Sequence, residues 1–278
     1  MFPHNHAGDN VEAPTPRLGV HSGVVRPDGT RDFGAYEQLF AEHPFERTLE
    51  RIRATEVIAH LVQQGCGAGS SILEIGVGRS CVASAFPKAR ATAIDPVAAA
   101  LTQWSLACQR VGVDANAFAL TLDDFCQQDM PGELFDFIVL SSVLHEMPDR
   151  LVALRHVARL LKPAGKCIVV VPNATSLHRM LGVALGLLDD LQSQTPTEAK
   201  MGQFPAYTEA ALTAHMEMAG LRLVTVHTFF LKPLSSEQMA LAEEAGVLDQ
   251  EMLDSLERLT RLMPSWGAEI LAVGELNV

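Results

Sequence analysis

The residues best suited to chemistry lie in a glycine-rich stretch at positions 72–80, Ile-Leu-Glu-Ile-Gly-Val-Gly-Arg-Ser. Its apolar start predicts a buried strand, and Gly76 and Gly78 let the following turn approach a ligand where a Cβ would collide. Glu74 directly precedes that turn, where its carboxylate would repel pyrophosphate and favour a ligand with an ammonium group and a positive centre. The third glycine of the dinucleotide fingerprint is replaced by Cys81. Both features disfavour a nicotinamide cofactor.

Acidic residues also follow the next two predicted strands. Asp95 lies 17 residues after Gly78, at a strand end where a carboxylate can accept hydrogen bonds from both hydroxyls of a ribose. Asp123, Asp124 and Phe125 follow the third apolar run. An acid there can accept a hydrogen bond from an adenine amino group, and the phenyl ring can stack on the base. The alternative is an acid pair that caps a helix.

Short apolar runs alternate with helical patterns, and these elements would position the candidate residues. Continuous apolar runs are typical of strands buried on both faces of a parallel sheet. The alternation predicts an α/β fold with an open, doubly wound sheet, which binds ligands at the carboxyl ends of its strands. The predicted strands are residues 71–75, 91–94, 117–120, 135–140, 166–171, 221–230 and 268–273. The predicted helices are residues 44–64, 97–111, 149–161, 208–219, 235–246 and 250–263.

Two segments depart from this alternation. Residues 1–34 contain several prolines and glycines without a sustained period, and we interpret them as an irregular N-terminal arm. Residues 35–278 are predicted to form one domain, in which an insertion at about 173–206 forms a helical cap over the site. The arm contains histidines, but no cysteine or regular spacing completes a ligand set, so we expect no metal site.

The order and spacing of these segments resemble class I S-adenosylmethionine-dependent methyltransferases of the small-molecule type, similar to types 11 and 12. Residues 73–78, 95–96 and 123–125 match the first three motifs of that class. Residues 135–146 match the fourth motif, and residues 161–165 resemble the turn before the fifth strand. All five segments occur in the order and with the gaps that the class has.

Two later segments add to the resemblance. Residues 172–179 and 229–234 are similar to parts of small-molecule methyltransferases akin to the ubiquinone-type and type-12 groups. The resemblance implies a Rossmann-like methyltransferase sheet of seven strands with a helical cap insertion. Its last strand, near residues 268–273, would run antiparallel to the others.

The resemblance implies S-adenosylmethionine as the cofactor and S-adenosylhomocysteine as the product. Ser80 replaces the third glycine of the first motif and is small enough to fit there. Residues 202–207 lack the His and Arg that relatives often carry in the cap. The substrates of those relatives therefore do not predict the substrate of this chain, whereas the predicted cofactor is unaffected. The residues that the resemblance implies for cofactor binding are Glu74, Gly76, Val77, Gly78, Asp95, Pro96, Asp123, Asp124, Phe125 and Ser141.

Such an enzyme aligns a nucleophile with an already activated methyl group and excludes water. It needs a base only where the nucleophile holds its proton tightly. We interpret His145, which follows the fourth predicted strand beside the expected methyl position, as the candidate base. The alternative is that His145 only packs or forms a hydrogen bond near the cofactor. The candidate substrate contacts are Tyr36, Asn173, His178 and Tyr207.

The charge and composition of the chain limit the classes of binding partner and predict the cellular compartment. The formal net charge of −12 and the lack of a basic patch disfavour nucleic acids and anionic membranes as partners. The longest apolar run, at residues 180–188, is too short to span a bilayer. Five cysteines without C-x-x-C spacing, and a start without a basic and then apolar region, predict a cytoplasmic protein. A homodimer is one assembly that is compatible with the sequence.

These observations predict transfer of a methyl group to an oxygen or nitrogen atom of a small molecule, for example a secondary metabolite. The alternative is a catalytically silent partner or regulatory subunit that binds S-adenosylmethionine, and a polar pocket beside the methyl group would argue against it. A nicotinamide-dependent oxidoreductase is disfavoured by Glu74 and Cys81. A protein methyltransferase would need a wide open groove in place of a closed cap.

Overall fold

The computed structural model describes residues 32–34, 43, 45–128 and 134–277. Apart from its last three residues, the predicted arm lies outside these ranges, and so does Tyr36. The division into an arm and one domain stays a prediction.

Seven strands form a single sheet. They are β1 (Ser71–Ile75), β2 (Arg90–Ile94), β3 (Asp114–Phe118), β4 (Phe135–Ser141), β5 (Leu161–Pro172), β6 (Leu221–Phe229) and β7 (Glu269–Leu276). Their order in the sheet is β3-β2-β1-β4-β5-β7-β6, and β7 runs antiparallel to both of its neighbours. The remaining pairs are parallel. The predicted doubly wound, Rossmann-like sheet with an antiparallel last strand is therefore confirmed.

Helices cover both faces of the sheet. They are α1 (Phe45–Gln63), α2 (Ala98–Val111), α3 (Leu122–Gln127), α4 (Arg150–Leu160), α5 (Leu177–Ala184), α6 (Pro196–Lys200), α7 (Glu209–Met218), α8 (Ser236–Glu244) and α9 (Gln250–Leu259). Short 3₁₀ turns occur at Ala83–Ala85 and Leu144–Glu146. In the described part of the chain, no helix has the length and apolar character needed to cross a membrane.

The two faces of the sheet form separate hydrophobic cores. Successive strand residues point to opposite faces. Leu73 and Ile75 of β1 therefore pack in the core that includes α4 and α7, whereas Ile72 packs in the core that includes α1, α8 and α9. Because both faces are covered, β1 is buried along its whole length. This double burial explains why the sequence of this strand is a continuous apolar run.

The third strand differs from its prediction at residues 117–120. β3 occupies Asp114–Phe118 and lies at the edge of the sheet, where it pairs only with β2 among the described strands. Because the edge is half-exposed, Asp114 and Asn116 can occupy strand positions, and no apolar run marks the element. A continuous apolar run therefore identifies central strands but not this edge strand.

The cap between β5 and α7 consists of two short helices, α5 and α6, held by polar contacts. The buried guanidinium of Arg179 donates hydrogen bonds to Glu198 Oε1 at 2.8 Å and to the carbonyl oxygens of Leu191, at 3.0 Å, and Ser193. α6 begins with a capping box, in which the hydroxyl of Thr195 accepts from the Glu198 amide at 3.1 Å. The cap is therefore organised around one buried arginine.

Candidate active site

A cavity of about 1250 Å³ lies at the carboxyl ends of β1, β2 and β4. In the strand register Ile75 of β1 is level with Ile94 of β2 and Leu140 of β4, so these strands end at the same edge. The chain leaves β1 toward β2 and leaves β4 toward β5, which makes this edge the switch point of the sheet. Residues of α1, of the cap, of the segment after β6 and of the start of β7 contribute to the remaining walls.

The glycine turn after β1 leaves no room for side chains. Gly76 and Gly78 have φ angles of +70° and +53°, a region that side-chain-bearing residues seldom adopt. A Cβ on Gly76 would lie 2.7 Å from Val143 Cγ2, and one on Gly78 would lie 2.8 Å from Glu50 Oε1. Both glycines and Val77 line the cavity. The turn therefore presents bare backbone to the cavity, as expected.

Glu74 has a different position from the one that we predicted. Its carboxylate accepts hydrogen bonds from the backbone amides of Val82, at 3.1 Å, and Ala83, at 2.7 Å, and from Trp104 Nε1 at 2.8 Å. Burial raises the pKa of Glu74, and these three hydrogen bonds oppose the rise. Glu74 is not among the residues that line the cavity. The expectation of a direct ligand contact is thus corrected: Glu74 fixes the segment that follows the turn.

A carboxylate does lie at the glycine turn, but it comes from α1. Glu50 lines the cavity, and its Oε1 accepts a hydrogen bond from the Arg79 amide at 3.1 Å. Burial raises the pKa of Glu50, while the hydrogen bond from Arg79 and the charge of Arg53 lower it. The sequence analysis missed Glu50 because it belongs to a helix that precedes the first motif.

Asp95 lies in the cavity wall beside Pro96. Its carboxylate accepts hydrogen bonds from the amide of Val77 at 2.9 Å and from that of Val97 at 2.8 Å. It therefore joins the end of β2 to the glycine turn. Ribose binding by this side chain stays a prediction.

The side chains of the three consecutive residues that we predicted to surround an adenine have different surroundings in the structure. Asp123 lines the cavity, and its Oδ1 lies 3.2 Å from His156 Nε2. Asp124 instead accepts a hydrogen bond from the Thr121 hydroxyl at 2.7 Å, at the start of α3. Phe125 is buried in the core against Phe118, with ring centroids 5.8 Å apart. The ligand contacts predicted for Asp124 and Phe125 are corrected, because both side chains stabilise α3 and neither lines the cavity.

The end of β4 brings Ser141 and His145 to the cavity. His145 lies on the 3₁₀ turn and is only 3% exposed. Its Nε2 is 3.9 Å from Glu146 Oε1, which accepts a hydrogen bond from Gln203 Nε2 at 2.9 Å. The amide of Phe204 donates to the His145 carbonyl oxygen at 3.0 Å. The cap is therefore fastened to the turn that carries His145.

Two of the predicted substrate contacts lie outside the cavity wall. The amide group of Asn173 donates to the carbonyl oxygens of Ser265, at 3.1 Å, and Gly267, at 2.7 Å. The Tyr207 hydroxyl is 3.0 Å from His215 Nδ1, and its ring lies beneath the guanidinium of Arg150. These contacts occupy the polar groups of Asn173 and Tyr207, so their predicted role at the substrate is corrected to a structural one.

A group of charged residues that the sequence analysis missed forms the cavity wall under the cap. This buried charge cluster comprises Glu46, Arg53, Lys232 and Glu269. Arg53 Nε and Nη2 donate to Glu269 Oε1 at 3.0 and 2.6 Å, and Nη2 lies 3.5 Å from Glu46 Oε2. Lys232 Nζ donates to the Ser236 hydroxyl at 2.8 Å. The cluster could not be seen in the sequence, because 216 residues separate Arg53 from Glu269.

Burial controls the ionisation of this cluster. It lowers the pKa of Lys232, and the charges of Glu46 and Glu269 oppose that shift. It raises the pKa of Glu269, and Arg53 opposes the rise. Glu269 is 3% exposed, and its Oε2 has no hydrogen-bond partner among the described residues. The cluster therefore offers one buried acceptor to a ligand.

His178 lines the cavity close to the charge cluster. Burial, followed by the positive charges of Lys232 and Arg179, holds the pKa of His178 well below its usual value. The imidazole is therefore neutral at pH 7. Within the described ranges, its buried Nδ1 has no hydrogen-bond partner.

A comparison with protein families assigns the class. The model of a family described as "Methyltransferase domain" matches residues 42–226. The chain belongs to this methyltransferase domain family. It is an S-adenosylmethionine-dependent methyltransferase. No curated protein sequence matches this methyltransferase.

Solved structures share the fold of this methyltransferase. One is 1,6-didemethyltoxoflavin-N1-methyltransferase from Burkholderia thailandensis, with 16% identity, coverage of 93% of this chain and 94% of that chain, and a TM-score of 0.53. The [4+2]-cyclase SpnF has 13% identity, coverage of 93% and 88%, and a TM-score of 0.53. YcgJ from Bacillus subtilis has 16% identity, coverage of 81% and 97%, and a TM-score of 0.50. At these identities the likeness shows the fold alone.

The residues at the switch point fit S-adenosylmethionine on structural grounds. The turn at Gly76 and Gly78 forms a cradle that side chains would fill. The carboxylates of Asp95, Asp123 and Glu50 line the same cavity and suit a ligand with hydroxyls, an amino group and positive charge. This methyltransferase therefore has both the space and the polar groups that the cofactor requires.

Proposed function

We propose that this methyltransferase transfers the methyl group to an oxygen or nitrogen atom of a small molecule. The observation that carries the proposal is the cavity of about 1250 Å³, which continues from the glycine turn to the underside of the cap. Cavities of roughly 300–1,000 Å³ hold small ligands, so this one has room for a cofactor and a second small molecule. The Burkholderia structure, which contains bound 1,6-didemethyltoxoflavin and S-adenosylhomocysteine, supports a small substrate.

The residues proposed to hold the cofactor are those at the ends of β1, β2 and β4. Gly76, Val77 and Gly78 would receive its amino-acid part beside Glu50, whose carboxylate suits the ammonium group. Asp95 and Pro96 would contact the ribose, while Asp123 and Ser141 would complete the wall. When bound, S-adenosylmethionine supplies a methyl group that its sulfonium already activates.

The protein itself would align the nucleophile, exclude water and accept a proton. His145 is the proposed base, because it lines the cavity after β4 and is almost completely buried. It would take the proton that an O–H or N–H nucleophile gives up. Glu146, 3.9 Å from its ring, and the cap residues Gln203 and Phe204 would hold the turn in position.

The cap and the charge cluster point to a substrate with an apolar body and a polar end. Glu269 Oε2 would accept a hydrogen bond from an N–H or O–H group of the substrate, and His178 Nδ1 is a second polar contact. Several apolar side chains that line the cavity are solvent-exposed, among them Leu185 at 64%. The exposed apolar residues of the cap that line the cavity are Leu181, Leu185, Leu187 and Phe204. A ligand that covers them would gain hydrophobic free energy.

Calorimetric titration with S-adenosylmethionine and S-adenosylhomocysteine, with NAD as the control, tests the cofactor site. We expect both to bind and NAD not to bind. A screen of small phenols, acids and amines with S-adenosylmethionine then tests methyl transfer. Transfer to none of them, together with normal cofactor binding, would favour a silent binding subunit.

The proposed base predicts a specific kinetic change. His145→Ala should lower turnover of a substrate from this screen by about 10²–10⁴-fold. Its affinity for S-adenosylhomocysteine should change little. The matched control is His215→Ala, because that imidazole contacts Tyr207 outside the cavity wall. Unchanged turnover in His145→Ala would remove this residue from the mechanism.

A further inference from the structure

Three potential metal ligands meet where α1 continues past the cavity. Glu56 and His60 are four residues apart on α1, so they share one face of the helix. His227 reaches them from β6. None of the three is part of the cavity wall. The group is therefore separate from the proposed methyl-transfer site.

The distances in this group are close to those around a metal ion. Glu56 Oε1 lies 3.0 Å from His227 Nε2 and 3.6 Å from His60 Nδ1. Bonds of 2.0–2.2 Å to a tetrahedral Zn²⁺ separate neighbouring ligand atoms by about 3.3 Å. One ligand atom from each residue lies within 4.8 Å of the other two, and the two imidazole rings are stacked with centroids 4.9 Å apart. Binding of one ion would require the stacked imidazole rings to rotate toward a common point.

The rings are held by contacts that are compatible with metal binding. His60 Nδ1 lies 3.0 Å from the backbone oxygen of Glu56. This contact is a hydrogen bond of the same ring nitrogen that lies 3.6 Å from Glu56 Oε1. A metal at Nδ1 would replace it. The Glu56–His227 hydrogen bond would be exchanged for two bonds to the ion.

A further carboxyl group belongs to the same neighbourhood. Glu257 on α9 is partly buried, and its Oε2 is buried without a hydrogen-bond partner among the described residues. Burial and then the charge of Glu56 raise the pKa of Glu257, whereas a hydrogen bond from the Phe230 backbone and the charge of His227 lower it. Glu257 is not among the three residues whose ligand atoms lie within 4.8 Å of one another. An unpartnered carboxylate oxygen of this kind gains from a nearby cation.

We propose that Glu56, His60 and His227 bind Zn²⁺ or a similar divalent transition-metal ion. Imidazole nitrogens together with carboxylate oxygens are a ligand set that Zn²⁺ takes, whereas Ca²⁺ and Mg²⁺ select oxygen ligands. This proposal differs from our expectation of no metal site, which stays untested. The sequence could not reveal the site, because 171 residues separate Glu56 from His227.

The ion would have a structural role. Its ligands come from α1 and β6, so it would link two elements that are distant in the sequence. α1 also carries Glu50 and Arg53 into the cavity wall, one to two turns before Glu56. Metal binding would thus fix the helix that closes one side of the cavity.

Titration of the full chain with ZnCl₂, after removal of bound metal by a chelator, tests this site. We expect one tightly bound Zn²⁺ per chain and a higher thermal unfolding midpoint in its presence. His60→Asn and His227→Asn should each weaken Zn²⁺ binding by roughly 100-fold or more, since even the loss of an outer-shell contact costs about 10–100-fold. His215→Asn, which alters a partly buried histidine elsewhere, should bind Zn²⁺ as the wild type does.

Two further measurements make the outcome decisive. Circular dichroism in zinc-free buffer checks that the variants fold, and Glu56→Gln is a milder change at a proposed ligand that should also weaken binding. The proposal is overturned if the wild type binds no Zn²⁺ with micromolar or tighter affinity. It is equally overturned if His60→Asn and His227→Asn bind Zn²⁺ as tightly as the wild type, which would leave only a hydrogen-bonded Glu–His pair.

Discussion

The two halves of the cavity are built in different ways. On one side, Gly76, Asp95 and Ser141 each lie at or directly after the end of a strand, and Asp95 is bonded to the backbone of the glycine turn. On the other side, under the cap, Arg53 and Glu269 meet across 216 residues of sequence. The first half is fixed by local backbone geometry. The second half depends on the folded arrangement of distant elements.

This difference suggests that the two halves of the cavity bind different ligands. Backbone geometry suits a ligand that is the same in every turnover, because it leaves little freedom to adapt. Charged side chains, and a cap held by side-chain contacts such as those of Arg179 and Gln203, leave more freedom to fit a different ligand. We therefore expect changes on the turn side to abolish cofactor binding, and changes under the cap to alter stability and substrate choice.

The largest expected effect comes from filling the turn. Gly76→Val would place its Cβ 2.7 Å from Val143 Cγ2 at a backbone φ of +70°, so the turn would have to move. We expect binding of S-adenosylhomocysteine to fall below detection in calorimetry. Gly112→Val is the matched control, because Gly112 has a φ of +75° but no atom within 4 Å of the added Cβ. If the Gly76 variant bound the product normally, the turn would not be the cofactor cradle.

The charge cluster should instead govern stability. Arg53→Met would leave the buried carboxylate of Glu269 without its partner, which costs about 3–5 kcal/mol of unfolding free energy. Urea denaturation measures the loss, and Arg51→Met, on the exposed face of α1, should cost far less. The double variant Arg53→Met/Glu269→Leu should recover most of the loss. A failure to recover would mean that these side chains also support the packing around them.

The contrast between local and long-range contacts also explains which parts of the fold and site could be predicted from the sequence. β1 has the predicted boundaries, because both faces of this strand are buried and the whole segment is apolar. The sequence could predict that the glycine turn and Asp95 lie at the same sheet edge, because their positions directly after strands are local features of the chain. Glu74 was assigned the wrong role, because its spacing did not reveal that Val82, Ala83 and Trp104 fold back onto its carboxylate.

The cap side could not be predicted in the same way. Asn173 and Tyr207 were assigned to the substrate, but contacts with residues far away in the sequence occupy Asn173, and His215 contacts the Tyr207 hydroxyl. Glu269 lies in no motif, and the motif that contains Lys232 does not show that the two side chains belong to one site, because β6 and β7 bring them together only in the folded protein. A site whose side chains come from distant parts of the sequence can therefore be identified only from the folded structure.

A pH titration offers a finer test of the cap side. The pKa of His178 lies well below its ordinary value of 6.5 in the folded protein, so the unfolded chain takes up this proton first as the pH falls. Above the unfolded-state pKa the imidazole is neutral in both states, and the free energy of unfolding does not depend on this group. Below that pKa the unfolded chain binds the proton and the folded protein does not, so the free energy of unfolding falls. The loss is about 1.4 kcal/mol per pH unit until the folded-state pKa is reached.

Urea denaturation across this range measures the effect. His178→Gln should remove this part of the pH dependence, whereas His215→Gln, a change at a site outside the cavity wall, should retain it. An identical pH dependence in wild type and His178→Gln would show that the imidazole is not kept neutral by its surroundings.

The smallest expected effect concerns the cap alone. Thr195→Ala removes the capping box of α6, in which the Thr195 hydroxyl accepts from the Glu198 amide and Glu198 Oε2 accepts from the Thr195 amide at 2.7 Å. Such a change costs about 1 kcal/mol, so hydrogen exchange in the cap should become about fivefold faster. Ser235→Ala removes an equivalent box from α8 and should leave exchange in the cap unchanged.

Because Glu198 also binds Arg179, faster exchange should extend to α5. Exchange that rises only within α6 would mean that the two cap helices open independently, and Arg179 would then not be the residue that couples them.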